Sequence, residues 1–199
     1  MADFIISRSN KGFNFILKRS VSSTLIDELA PFAKFNSVTF EENKSKVIGM
    51  ISNTNEKLKA FAKNDHFSTY VYILSDKTTP DATISYKNWE AGNKILGNYF
   101  LESDDIGKFR PLELNYDKLR VSFDKGCYRG QEIVARMKYL GIDRRSFLTF
   151  ITSNKFDANE DIKIVGQKIE IDDKLVFNGI VKKDLIPDIQ NDPQILKII

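Results

Sequence analysis

Phe4-Ile5-Ile6 and Phe13-Asn14-Phe15-Ile16-Leu17 flank the polar run Ser9-Asn10-Lys11-Gly12. Two aromatic and β-branched runs around an Asn/Gly turn predict a hairpin. Val21, Leu25, Ile26 and Leu29 then recur at three and four residues, predicting a helix capped by Ser20 or Ser22 and ending at Pro31. Val38-Thr39-Phe40 and Val47-Ile48-Gly49-Met50-Ile51 predict a second strand pair across 41–46. Leu58, Phe61 and Ala62 predict a helix from Asn53 or Thr54 to about Lys63. Tyr70–Leu74 reads as a strand, ended by the polar run 75–81. Ser85–Leu96 reads as a helix carrying Trp89 and Ile95 and closed by Gly97. The order ββαββαβα predicts an α+β layer, helices packed on an antiparallel sheet.

Residues 107–120, with Pro111 and scattered leucines, predict irregular structure. After Gly141 the texture changes. Ser146–Thr152, Asp161–Ile171 and Lys174–Val181 are strand-like runs between Asn/Asp/Gly turns, with no helical period between them. Short strands at that spacing predict a small C-terminal β-barrel. The expected division is residues 1–140 and 141–199, with the boundary near Leu140–Arg144.

Composition narrows the chemistry. The 199 residues, 42% apolar and 29% charged, are those of an ordinary globular chain with a real core. No apolar run reaches membrane-span length and no signal-like start is present, so a cytoplasmic protein is expected. One cysteine, Cys127, and one histidine, His66, exclude an internal disulfide and a zinc site of Cys and His alone. A cluster held by this chain alone is disfavoured on the same count, so no resident metal is expected. His66 lies in Lys63-Asn64-Asp65-His66-Phe67 without a nucleophile signature nearby and reads as a surface residue.

Net charge is only +3, but it is unevenly spread. Between Arg120 and Arg145 stand seven basic residues (Arg120, Lys125, Arg129, Arg136, Lys138, Arg144, Arg145) against Asp124, Glu132 and Asp143. That window carries +4 and the rest of the chain −1, and the window surrounds the only cysteine. Within it, Lys125-Gly126-Cys127-Tyr128-Arg129-Gly130-Gln131-Glu132-Ile133-Val134-Ala135-Arg136 is the unusual stretch. Its two glycines predict a tight turn that permits close approach. Ile133, Val134, Met137 and Leu140 fall at helical spacing, with Gln131 and Glu132 in the first turn and Glu132 paired to Arg136. Cys127 then sits just ahead of a helix N-terminus among cations, the setting of a reactive thiol. A small buried hydrophobe is the other reading of the same residue.

The run KGCYRGQEIVAR closely resembles the signature of YgfZ-type folate-binding proteins, relatives of the glycine-cleavage aminomethyltransferase (T-protein). Lys125, Gly126, Cys127, Tyr128, Gly130, Gln131, Glu132 and Arg136 fall on the family pattern, and Trp89 falls where the family has a folate-stacking tryptophan. The resemblance implies a partial T-protein-like fold and a C-terminal barrel. It also implies Cys127 as the reactive thiol, with Trp89 and the other motif residues toward a tetrahydrofolate-type cofactor. The expected role is non-catalytic: supporting iron–sulfur cluster assembly or repair for tRNA-thiolating client enzymes, with a cluster held transiently. Two departures accompany it. The family begins with a further sheet-forming segment that this chain is expected to lack, and the family's Glu-Ala-Gly aligns with Ile95-Leu96-Gly97, leaving Glu90 as the nearest acid to replace the missing one.

Two other functions fit the residues. A folate-dependent one-carbon transferase would need a carboxylate, for which Glu90, Glu102 and Asp104 are candidates. A tRNA-binding module would use the basic window with Tyr128, Tyr139 and Phe147 interleaved. Trp89 itself reads equally as a core residue.

Overall fold

The computed structural model describes residues 3–10, 12–53, 60–74, 83–128, 130–141, 144–157 and 159–199. Among the described residues the chain is mixed α+β with three antiparallel sheets. Strand β1 (Ile5–Ser9) pairs with β2 (Gly12–Ile16) as the expected hairpin, Ile5 opposite Ile16 and Ser9 opposite Gly12. Helix α1 (Ser22–Phe35) follows, then β3 (Val47–Ser52), β4 (Ala62–Lys63) and β5 (Ser68–Ile73), with β5 central in the order β3-β5-β4.

Helix α2 (Tyr86–Ile95) lies where its signals place it. Ser85 Oγ accepts the amide of Asn88 at 3.1 Å, a side-chain N-cap. At the other end Gly97, at φ +63°, donates its amide to Lys94 O at 2.9 Å, and Asn98 donates to Asn93 O at 2.9 Å. That pair of bonds is the glycine-closed helix end in which left-handed backbone satisfies the last carbonyls. The helix packs between the small sheet and the C-terminal sheet, burying Ala91, Gly92, Asn93 and Lys94.

The C-terminal sheet has the order β7-β8-β6-β9: β6 is Arg145–Ser153, β7 Lys163–Ile171, β8 Lys174–Lys182 and β9 Ile195–Ile198. Every residue of β8 from Val176 to Val181 is buried, because the sheet is covered on both faces. One cluster joins Tyr99, Leu101, Phe109, Leu114 and Tyr116 to Phe147, Val165 and Ile180. The other joins Phe150 and Phe177 to Phe156, Ile162, Ile189 and Ile195. The first cluster draws side chains from both sides of the boundary expected near Leu140–Arg144.

Several expectations are corrected. The three C-terminal strands form as read, but among the described residues they make an open sheet with β7 and β9 at its edges and no closed barrel. The sequence pattern missed β9 and the short helix α5 (Ile186–Gln190) that precedes it. Helix α1 does not stop at Pro31 but runs four residues further, and neither Ser20 nor Ser22 caps it through its side chain. Ser22 Oγ instead donates to Arg19 O at 2.8 Å. Val38-Thr39-Phe40 is not a strand; β3 takes β5 as its partner, with Val47 opposite Ile73 and Ser52 opposite Ser68. The helix expected from Asn53 or Thr54 lies mostly outside the described residues, and its last two, Ala62–Lys63, pair with β5 instead.

Between the sheets, residues 107–120 hold only short turns: a 3-10 turn at Pro111–Leu114 and the one-turn helix α3 (Tyr116–Leu119). Helix α4 (Gln131–Tyr139) opens at Gly130, as the motif spacing predicts. Its inward set is narrower than expected. Val134 is buried and Met137 half-buried, while Ile133 and Leu140 are exposed. No helix among the described residues is long and apolar enough to cross a membrane.

Candidate functional site

Two places carry the chemistry, and no described residue of the first lines the second. The first is the turn leading into α4. Gly130 takes φ +87°, which a side chain would strain, so glycine is required there by the backbone. At Gly126 a Cβ would meet open space and φ is not in the left-handed region, so this chain by itself does not need glycine at that position. Gln131 reaches back, its Oε1 accepting the Tyr128 amide at 3.3 Å, and its own amide donates to Tyr128 O at 3.2 Å. Lys125 places its ammonium 4.4 Å from the Tyr128 ring centre. Cys127 is exposed, which removes the reading of a small buried hydrophobe. Glu132 and Arg136 are exposed and form no ion pair with each other. Arg129, expected near the thiol, lies outside the described residues.

The basic window is less cationic at the surface than its composition. Arg120 turns inward, its Nε 2.7 Å from Asp3 Oδ1 and its Nη2 donating to Asn98 Oδ1 and Tyr99 O at 2.9 and 3.0 Å. Its guanidinium stacks over Tyr116 at 4.5 Å and lies near the Phe61 and Phe100 rings. Lys138 pairs with Asp117 and Arg145 with Glu113, each at 3.2 Å. Among the described residues, three of the window's cations are therefore matched by acids from outside it. Tyr139 is exposed on α4, but Phe147 is buried in the core and is not a stacking platform.

The second place is a cavity of about 230 Å³ on one side of α2, lined by residues including Lys18, Tyr86, Trp89, Glu90, Lys94, Tyr99, Phe100 and Glu102. Four rings run beside it. Phe61 stacks on Phe100 at 5.2 Å, Phe100 meets Trp89 at 5.6 Å, and Trp89 meets Tyr86 at 6.0 Å. Trp89 packs on β3 and also borders the cavity. Its indole nitrogen faces inward and is buried without a partner among the described residues, against Gly49 of β3, where a Cβ would lie 2.3 Å from Nε1. The residue is only half-buried and also lines the cavity.

Polar bonds hold these walls. Asn93 donates to Trp89 O at 2.9 Å, and its Oδ1 accepts from Asn98 Nδ2 at 2.6 Å and from Thr69 Oγ1 of β5 at 3.2 Å. Lys18, just after β2, donates to Glu90 Oε1, to Glu102 at 2.8 Å and to the Tyr86 hydroxyl at 2.7 Å. Burial alone would lower the Lys18 pKa, but the bonds to Glu102, Glu90 and Tyr86 outweigh it and hold the ammonium above its usual range. Burial raises Tyr86, against the opposing pull of Lys18. Tyr99 is raised by burial and then by its hydrogen bond to Asp105.

Of the expected site residues, then, Trp89 lines the cavity with Glu90, while Lys125, Gly126, Cys127, Tyr128, Gly130, Gln131, Glu132 and Arg136 do not. Of the carboxylates considered for a transferase, Glu90 and Glu102 line the cavity but already bind Lys18, and Asp104 is exposed outside it. Sequence reasoning missed Lys18, Lys94, Tyr99 and Phe100. A signal for one of them was present: Tyr86, Glu90 and Lys94 are spaced by four, a single row on one helix face. Lys18 arrives from 68 residues away and left no local trace.

No family model matches the chain. A protein of Haemophilus influenzae, named "Uncharacterized protein", is 27% identical over 82% of this chain and 58% of its own length. Two Escherichia coli proteins, each named "tRNA-modifying protein YgfZ", are 26% identical, one over 96% of this chain and 74% of its own length, the other over 91% and 70%. The chain thus spans a little over half of the first relative and about three quarters of the others.

Proposed function

With similarity to the tRNA-modifying YgfZ proteins as the premise, we propose that this chain is a folate-linked accessory protein that supports iron–sulfur cluster assembly or repair for tRNA modification in the cytoplasm. The observation that carries the proposal is the outward placement of Cys127 in the turn before α4. In this reading Cys127 lends one thiolate to a transient cluster, and a client enzyme supplies the remaining ligands, because one sulfur cannot hold a cluster. Lys125, Tyr128, Gln131 and Arg136 then serve the cysteine turn.

The cavity beside Trp89 is compatible with a pterin ring. Tyr86, Trp89 and Phe100 border it with rings of the kind that stack offset, and Glu90 and Glu102, each already engaged by Lys18, line it with carboxylates. At about 230 Å³ it is smaller than the roughly 300–1,000 Å³ of pockets that enclose a drug-sized ligand, so a pterin ring would sit within it and the rest of a folate would extend outside. In this reading Glu90, which lines the cavity, would take the place of the acid of the Glu-Ala-Gly pattern, which is absent at Ile95.

Replacement Cys127→Ala is expected to leave the circular dichroism and melting of the chain unchanged while abolishing restoration of cluster-dependent tRNA thiolation in a deletion background. Equal thiolation by both forms overturns the role of the thiol. Tetrahydrofolate titration, followed by tryptophan emission and calorimetry, tests the ligand separately. A flat emission signal with no heat removes folate from the proposal.

A further inference from the structure

Lys94 is the odd member of the row on α2. Glu90 stands four residues before it, the spacing and order at which a Glu–Lys pair is most favourable on a helix. Yet Glu90 is taken by Lys18 and by the Tyr86 hydroxyl, at 2.9 Å for the latter. The Lys94 ammonium has no hydrogen bond or ion pair to a described residue, and its close neighbour is the Tyr99 ring, 5.3 Å away. The residue is only 6% exposed, yet it lines the cavity.

Its backbone is clamped. Lys94 O accepts from Gly97 N, from Thr149 Oγ1 of β6 and from Asn178 Nδ2 of β8, the last at 3.1 Å. The side chain therefore leaves a fixed point. The charged and titratable groups around the amine are Glu90 and Tyr86 on α2, Lys18 after β2, and Tyr99, Glu102 and Asp105 in the segment beyond the helix. Strands β6, β7 and β8 present Thr149, Gln167 and Asn178, none of which titrates. Burial is the dominant influence and brings the amine down to about 8, with Glu90, Asp105 and Glu102 opposing and Lys18 adding to the fall. Compared with an exposed lysine, the fraction of free amine at neutral pH is then roughly 300-fold larger. A lysine desolvated in an apolar pocket is an activated nitrogen nucleophile.

We propose that Lys94 captures a small planar aldehyde within this cavity as an imine, with the rings of Tyr86, Trp89 and Phe100 as its stacking walls. The nitrogen lone pair forms a bond to the carbonyl carbon, the C=O π pair moves to oxygen, and one proton passes from nitrogen to that oxygen. The carbinolamine then loses its hydroxyl as water, taking up the second proton of nitrogen, and the C=N bond forms. Amine and aldehyde give imine and water, with no oxidant or reductant. This activity goes beyond the accessory role proposed above and needs neither folate nor Cys127.

The test uses the full chain with benzaldehyde and sodium cyanoborohydride, which traps an imine as a secondary amine, followed by peptide mass mapping at a series of pH values. The expected result is one dominant adduct at Lys94, formed up to about 300-fold faster at pH 7 than on exposed lysines such as Lys63 or Lys108, the limit set by the free-amine ratio. Its pH profile should have a midpoint near 8. Lys94→Arg, checked by circular dichroism, should lose that adduct and no other. Labelling spread over exposed lysines with Lys94 unmodified overturns the proposal, as does a Lys94 profile that follows the exposed lysines. Both outcomes are read on the unaltered chain, so they stand even if the variant misfolds. Tetrahydrofolate that binds while Lys94 stays unlabelled sinks this inference alone; labelling without folate binding sinks only the folate reading.

Discussion

Lys94 also sets a pH dependence of stability. Its amine titrates near 8 in the fold and near 10.5 in the unfolded chain. Between those values the unfolded state binds more protons, so this residue makes stability rise with pH, and below about 8 the fold bears the full cost of a buried cation. Lys94→Met is therefore expected to stabilise the chain at pH 7 by up to about 3 kcal/mol, a gain that shrinks toward pH 10. Urea melts of both forms at pH 7 and pH 9.5 check it; an equal difference at the two pH values contradicts the assignment. Above pH 10 the raised tyrosines Tyr99 and Tyr116, both lifted first by burial, act with the opposite sign, since the unfolded chain then releases protons that the fold retains.

The two motif glycines separate at the same scale. Gly130→Ala places a Cβ on left-handed backbone and should cost about 1–2 kcal/mol. Gly126→Ala meets open space and should stay within about 0.5 kcal/mol of the parent. Chemical denaturation of the two variants distinguishes them, and equal losses would show that the turn is not held as described. If Gly126→Ala nevertheless lowers tRNA thiolation, the glycine is needed for a partner's approach and not for the fold.

Among the elements, α2 is the hub that positions the cavity, and its contact with β3 is set by two missing side chains. A Cβ on Gly49 would lie 2.3 Å from Trp89 Nε1, and one on Gly92 would lie 2.7 Å from Ile51 Cδ1. Gly49→Ala should push the indole away from β3, costing about 1–3 kcal/mol by overpacking and shifting tryptophan emission. Unchanged emission with unchanged stability would mean that the indole does not pack on β3. The ends of α2 were legible because Ser85 and Gly97 act through their own backbone neighbours. The continuation of α1 past Pro31 was not legible. Proline at that position removes one donor and crowds the preceding turn, yet Asn36 and Val38 still close the helix end on the carbonyls of Phe32 and Ala33.

At the scale of the whole molecule, Arg120 and Asp3 tie the start of the described chain to the segment beneath the first core cluster. Their side chains are 12% and 7% exposed. Arg120 Nη1 is already without a partner among the described residues, so Asp3→Ala would leave a second buried donor of the same guanidinium unanswered. The expected loss is about 3 kcal/mol, the scale for breaking a buried pair from one side. Arg145→Ala, which opens a half-exposed pair with Glu113, should cost under about 1 kcal/mol. Equal melting temperatures for these two variants would contradict the burial of the Arg120 pair.

Local rules determined much of this protein from its sequence. The hairpin of β1 and β2, the limits of α2, the three long C-terminal strands and the helix behind KGCYRGQE follow from turn residues, caps and periodicity acting within a few positions. Partners distant in the chain were decided only by the tertiary structure. β3 pairs with β5 and not with Val38-Thr39-Phe40, the C-terminal strands stay open at β7 and β9, and Ile133 and Leu140 remain at the surface. Likewise Lys18 reaches Glu90 across 72 residues and leaves Lys94 without a counter-ion among the described residues. Hydrogen-bond and ion-pair geometry in three dimensions assigns such partners, and a pattern of apolar and polar letters holds no record of which distant group arrives first.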